Sequence, residues 1–276
     1  SKPIAARHAV PVLSVAVRSV APTEIVLEHT VFVTSNVTVT FRGADFAAND
    51  FGVFTDGRIT SVEFGGVGVR QATITGIDWD AVSFQTALFT VANTSDYSAL
   101  SALFSSAGPI TIDASAALGP YNQALSWQPF LPDLTRPITF IGSAFDDAVE
   151  GTSGDDIINT GLNTRNGDRI IASDGNDRIV FEVPDGTNVS GFTLDYDRIS
   201  APVTFDINGT TNSATATGPG FVDQLENVND ALDFYLGLEG TVGADTYSTR
   251  LEPEQVVAVL GGGGADSYSI AADGAI

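Results

Sequence analysis

The stretch that decides the fold runs from Gly142 to Val180. It reads GSAFDDAVE (142–150), GTSGDDIIN (151–159), an interruption TGL (160–162), NTRNGDRII (163–171) and ASDGNDRIV (172–180). Each block is nine residues long and places Asp sixth (Asp147, Asp156, Asp168, Asp177) and an aliphatic residue eighth (Val149, Ile158, Ile170, Ile179). The Asp spacings are 9, 12 and 9. Six residues rich in Gly, Asp and Asn make a tight turn, because Gly tolerates positive φ and Asx side chains bond their own backbone. Three residues with an apolar centre then make a very short strand. One block is half a coil of a parallel β-roll, with the eighth residue pointing inward. Turns lined by Asp and stacked on one another repel without a cation. Oxygen ligands of this kind suit a hard ion, and Ca²⁺ takes six to eight of them at about 2.3–2.6 Å.

Two further copies, GTVGADTYS (240–248) and GGGGADSYS (261–269), keep the same order, with Asp245 and Asp266 21 residues apart, again 9 plus 12. Together these blocks resemble the RTX (repeats-in-toxin, hemolysin-type) calcium-binding repeats of bacterial secreted proteins. GSAFDDAVE departs in having Phe145 fourth, and NTRNGDRII has no Gly first or fourth, so those two turns are expected to bend differently and bind a cation weakly or not at all. The resemblance implies several Ca²⁺ ions, held by the side chains of Asp147, Asp156, Asp168, Asp177, Asp245 and Asp266. Turn residues Gly151, Ser153, Gly154, Asp174, Gly175, Gly240, Gly243, Gly262 and Gly264 complete the expected metal set, largely through carbonyls. It also implies type I export to the bacterial surface or medium and folding on meeting millimolar Ca²⁺ there, since metal binding then supplies folding free energy.

Charge follows the repeats. The chain of 276 residues has a net charge of −22. Before Gly142 there are 11 Asp/Glu against 7 Lys/Arg, and from Gly142 onward 23 against 5. So acidic a surface argues against nucleic acid or an anionic membrane as partner. The absence of Cys excludes disulfides and thiol chemistry. No apolar run reaches the ~18 residues of a membrane span.

The first half, residues 1–136, reads as a β-rich module. Val, Ile, Thr and Phe alternate with polar residues through VPVLSVAVRSV, EIVLEHTVFVTSNVTVTFRG, GRITSVEFGG and VGVRQATITGIDW. Helical spacing in DAVSFQTALFTV predicts a helix capped by Asp80, with Val82, Phe84, Ala87 and Leu88 on its apolar face. A second short helix is expected in SDYSALSALFSS, capped by Ser95 or Asp96, with Leu100, Leu103 and Phe104 apolar. The Pro-rich segment 118–136 reads as an irregular crossing. The module loosely resembles the one that often precedes RTX repeats in alphaproteobacterial exported proteins. It reads either as a solenoid under the roll, which the direct run of ITF into the first repeat favours, or as a small sandwich beside it.

Residues 137–276 are expected to form an all-β, right-handed parallel β-roll/β-helix. A longer-coil insertion is expected at about 181–239, holding strands at Phe192–Ile199 and Val203–Ile207 and a polar stretch TTNSATATGPG. Tyr247 and Tyr268, eighth in their blocks, should point inward.

No catalytic motif is present: neither H-E-x-x-H nor G-x-S-x-G occurs, and the two His, His8 and His29, lie in strand-like runs. Asp78 and Asp80 flank Trp79, and Asp195 and Asp197 flank Tyr196, which leaves a carbohydrate site open alongside solvated or cation-holding acids. Trp79 and Trp127 read as packing residues before sugar contacts. The expected function is therefore non-enzymatic: an exported Ca²⁺-binding protein with a structural or adhesive role toward other extracellular proteins or surface polysaccharide. The alternative is the calcium-stabilised part of a secreted hydrolase.

Overall fold

The computed structural model describes residues 15–32, 35–49, 53–66, 69–106, 108–121, 134–163, 167–184 and 191–272. The readings of His8, Trp127 and most of the 118–136 crossing fall outside them. The chain is predominantly β. Among the described residues the strands form a 15-stranded sheet and a 5-stranded sheet.

The N-terminal strands β1 (Val15–Ala21), β2 (Glu24–Phe32), β3 (Ser35–Ala48), β4 (Phe54–Gly66) and β5 (Val69–Thr75) pair antiparallel in chain order. Alternation puts Ile25, Phe41, Val62 and Ile74 in the core, and a register shift at Thr60 in β4 brings Ile59 onto the same side. A two-residue strand β6 (Trp79–Asp80) pairs with β4 and leads into helix α1 (Ala81–Thr94). Asp80 caps α1 by accepting the Ser83 N–H at 2.7 Å. The helix stops where Ser95 turns left-handed at φ 56° and donates its N–H to Val91. Asp96 then accepts the Ser98 N–H at the start of α2 (Ser98–Ser106). Phe84, Ala87, Leu100 and Phe104 face inward as expected, but Val82 and Leu88 are exposed. The buried stripe of α1 runs through Ala81, Phe84 and Ala87, a three-residue step, so those two lie off it.

β5 pairs antiparallel with β7 (Ile110–Asp113), and β7 pairs parallel with β8 (Ile138–Ile141). The large sheet therefore runs without a break from the N-terminal module into the repeats. The antiparallel order of β1–β5 differs from the stacked coils favoured by the sequence, because hairpins, not crossovers, join these strands.

From β8 the pattern changes. The three-residue strands β9 (Ala148–Glu150), β10 (Ile157–Asn159), β11 (Arg169–Ile171) and β12 (Arg178–Val180) alternate between the sheets, all parallel to their neighbours. Phe140, Ile158, Ile179 and Leu225 lie in register in one sheet; Val149, Ile170, Leu194, Leu238 and Val259 do so in the other. Burying each such side chain contributes about 1.5–3 kcal/mol.

The smaller sheet continues through β13 (Phe192–Asp195), β17 (Leu236–Glu239) and β19 (Val257–Leu260). The larger one takes up β14 (Thr204–Asn208), β15 (Ser213–Gly218) and β16 (Phe221–Glu226), an antiparallel meander, before β18 (Thr246–Leu251) and β20 (Ser267–Ala272). A short helix α3 (Val228–Leu232) follows the meander. Part of the expected longer coil is thus a meander. The stretch read as a polar loop contains β15, whose Ala214 and Ala216 point inward between outward Thr and Ser.

Candidate metal centre

The six predicted Asp side chains stand at the junctions of turn and strand, and five of them, all but Asp266, are buried. Each carboxylate clamps backbone. Asp156 accepts N–H groups from Thr152 in its own turn and from Ile138 in the neighbouring strand β8 (2.6 Å), with the Thr152 hydroxyl at 3.0 Å. Asp147 does the same with Ser143 and Tyr121, and Asp245 with Thr241 and Val203. Carboxylates that precede neighbouring parallel strands are linked. The N–H of Asp147 donates to Asp168, Asp156 to Asp177, Asp177 to Asp223 and Asp245 to Asp266, all at 2.8–3.0 Å.

Two kinds of participant lie outside the metal set expected from the sequence. The second-place hydroxyls of Ser143, Thr152, Ser173 and Thr241 bond the sixth-place carboxylates. Asp223 takes a sixth-place position, with Leu225 two residues on and in register with Ile179. Its D-x-L pattern matches the D-x-U of the repeats and is the signal that marks it. Asp223 also accepts the Tyr196 hydroxyl at 2.7 Å.

The electrostatics are those of acids buried together. Burial pushes Asp156 and Asp223 up to about 6, and Asp168 and Asp177 up to about 8. Neighbouring carboxylates add to this: Asp156 acts on Asp177, and Asp147 on Asp168. Asp147 is raised in the same way, though backbone N–H groups hold it down in part. Among the described residues, the ion-pairing Arg side chains serve other acids: Arg169 binds Asp195 and Glu239, Arg178 binds Glu226, Arg198 binds Glu150.

The glycines explain the turn geometry. A Cβ on Gly151 or Gly240 would sit 2.6 Å from the carboxylate of Asp156 or Asp245. In the fourth places, Gly175 (φ +112°) and Gly264 (φ +91°) lie over the carbonyls of Gly154 and Gly243 in the turn 21 residues earlier, with room for no side chain. Gly262 covers the Thr241 carbonyl in the same way. The third-place Ser153 donates its N–H and hydroxyl to the Leu134 carbonyl instead of facing the next turn. Asp174 lies beside Gly175 in the fourth turn, where the neighbouring Asn176 is held by Asp155 of the preceding turn at 2.8 Å.

No group of three His, Cys, Asp or Glu converges among the described residues. A cation here would rest on one or two carboxylates plus turn carbonyls, an all-oxygen set that Ca²⁺ accepts. The residues fit such an ion on two counts: buried like charges that no Lys or Arg pairs with among the described residues, and turn carbonyls approached so closely that a Cβ would strike them.

The alternative carbohydrate residues have structural roles. Trp79 is 2% exposed, stacks on Phe84 at 5.2 Å and donates its indole N–H to Leu103. Asp78 pairs with Arg58, Asp80 caps α1, and Asp195 pairs with Arg169. No helix among the described residues is long and apolar enough to cross a membrane. Comparison with protein-family models, curated proteins and solved structures found no match.

Proposed function

We propose that residues 137–276 form a right-handed calcium-binding β-roll of the RTX kind, and that the protein is an exported module with a structural or adhesive extracellular role. The alternation of three-residue parallel strands between two sheets supports the roll, as does the repeat of 21 residues from Arg169 in β11 back to Ala148, and from Ser267 in β20 back to Thr246. The observation that carries the metal reading is the file Asp156–Asp177–Asp223: three buried carboxylates, the second and third each accepting the backbone N–H of the Asp before it, with no cationic side chain of the described residues among them.

When bound, Ca²⁺ supplies the positive charge that lets stacked carboxylates stay ionised. The chain's own residues do the rest. The carboxylates fix the turn and the entry of each strand, the second-place hydroxyls orient them, and the glycines let consecutive turns approach. Type I export and assembly with surface polysaccharide or other extracellular proteins are part of the same proposal. Nothing in the surroundings of Trp79 favours the hydrolase alternative, since Trp79 is packed, Asp78 is ion-paired and Asp80 caps α1.

The test is a Ca²⁺ titration at neutral pH followed by circular dichroism and calorimetry, with Mg²⁺ as comparison. Saturable binding near 10⁻⁴–10⁻³ M that raises the melting temperature supports the reading. A melting temperature indifferent to Ca²⁺ and to its chelation overturns it.

A further inference from the structure

Arg169 and Arg178 lie on strands, whereas Arg198 lies in a turn. β13 leaves the smaller sheet through 196–203, which lacks the nonapeptide order. This turn is held at its base. Asp195 accepts the Asp197 N–H at 3.0 Å, and Ile199 donates its N–H to the Tyr196 carbonyl at 3.0 Å. From there Arg198 pairs with Glu150 at the end of β9, 48 residues away in the chain. The smaller sheet runs β9, β11, β13, with Glu150, Ile171 and Asp195 in register, so the ion pair spans the strand between. The Glu150 side chain is 7% exposed and the Arg198 side chain 41%.

The pair borders a cleft of about 460 Å³. Its other walls are Ile199, residues 151–153 of one turn and residues 172–174 of another. Those two turns lead into β10 and β12, which are neighbours in the larger sheet, and they carry Asp156 and Asp177, the first two members of the carboxylate file. No other Lys or Arg lines the cleft. With both partners present, Arg198 and Glu150 cancel. Without Arg198 the wall is left with a negative charge, and without Glu150 with a positive one. A divalent cation between these turns feels that difference through Coulomb interaction. Solvent and salt weaken it, since Arg198 is partly exposed, and do not change its sign.

We propose that the Arg198–Glu150 pair sets the Ca²⁺ affinity of the Asp156–Asp177 site, Arg198 holding it down and Glu150 holding it up. This role rests on the calcium reading and adds a control to it. The pair keeps that site toward the weak end of the roughly 10⁻⁴–10⁻³ M range of extracellular modules.

The experiment is calorimetric Ca²⁺ titration of the 276-residue chain at neutral pH and fixed ionic strength, with folding checked by circular dichroism. Arg198→Gln should tighten one site by roughly 2- to 10-fold, and Glu150→Gln should weaken it by a similar factor. Arg198→Lys keeps the charge and should titrate close to the parent. Arg58→Gln removes an equal charge from the ion pair with Asp78 in the N-terminal module and should titrate like the parent. In an Asp156→Asn background, where that site has lost a carboxylate, Arg198→Gln should no longer tighten binding. If Glu150→Gln fails to fold, the Arg198 variants and the double variant still decide. A parent chain that binds no Ca²⁺ fails the calcium reading and this role with it. Saturable parent binding that Arg198→Gln leaves unchanged or weakens overturns this role alone. So does equal tightening by Arg58→Gln, or tightening that survives in the Asp156→Asn background.

Discussion

Raising the pH of the metal-free protein should destabilise it, the reverse of what surface ion pairs do. An unfolded Asp titrates near 3.9. In the folded chain Asp156 and Asp223 titrate at about 6, and Asp168 and Asp177 at about 8. A folded-state pKa above the unfolded value means that the fold holds the proton more tightly. The stabilisation is present below about pH 4 and is lost as pH rises through the folded values. Between pH 5 and 8, independent titration would remove roughly 1 kcal/mol for each of the first pair and roughly 3–4 kcal/mol for each of the second. Stacked carboxylates share the relief each proton brings, so the real change is smaller than the sum. A third of it, about 3 kcal/mol, still corresponds to roughly 6–12 °C in a chain of this size. Asp78, Asp80, Asp96, Asp195 and Glu226 have lowered values through hydrogen bonds and Arg partners, so their titration lies below this window. The assay is a series of thermal melts in metal-free buffer from pH 5 to 8, repeated with millimolar Ca²⁺. A melting temperature that falls with pH without metal, and is restored at pH 8 by Ca²⁺, is expected. A flat or rising metal-free profile would refute the reasoning.

Asp156→Ala leaves the Ile138 and Thr152 N–H groups without their acceptor and should cost about 1–3 kcal/mol for each, with or without calcium. Asp156→Asn keeps one acceptor oxygen and turns its amide NH₂ toward the other backbone N–H, so denaturation at pH 8 should show a loss of about 1–3 kcal/mol in chelator and a larger one in Ca²⁺. Gly175→Ala forces a Cβ against the Gly154 carbonyl and should lower the melting point far more than Gly220→Ala, where φ is +99° and the space is open. Trp79→Ala should cost about 3–5 kcal/mol by emptying a packed site, measured by urea unfolding; an undiminished stability would contradict its place in the core.

The repeat half was legible because its signal is doubly constrained: Asp and an aliphatic residue two places apart, recurring every nine or twelve residues. That spacing placed Val149, Ile158, Ile170 and Ile179 in the core and the paired Asp at the strand entrances. It did not show that the carboxylates bind backbone N–H groups across coils, since partners such as Ile138 and Tyr121 lie 18 and 26 residues away in the chain. β15 was hidden because Ala, Ser and Thr alternate too weakly in hydropathy to separate strand from loop. The stacking of β1 to β5 was equally out of reach, because alternation fixes which face is buried and says nothing about which strand is the neighbour.

The most direct measurement is an anomalous difference map from crystals grown in millimolar Ca²⁺. The account predicts peaks between consecutive turns, about 2.3–2.6 Å from the sixth-place carboxylates and the turn carbonyls, beginning with the Asp156–Asp177 pair. Well-ordered turns without peaks at saturating Ca²⁺, or peaks confined to the outer surface away from these residues, would contradict it.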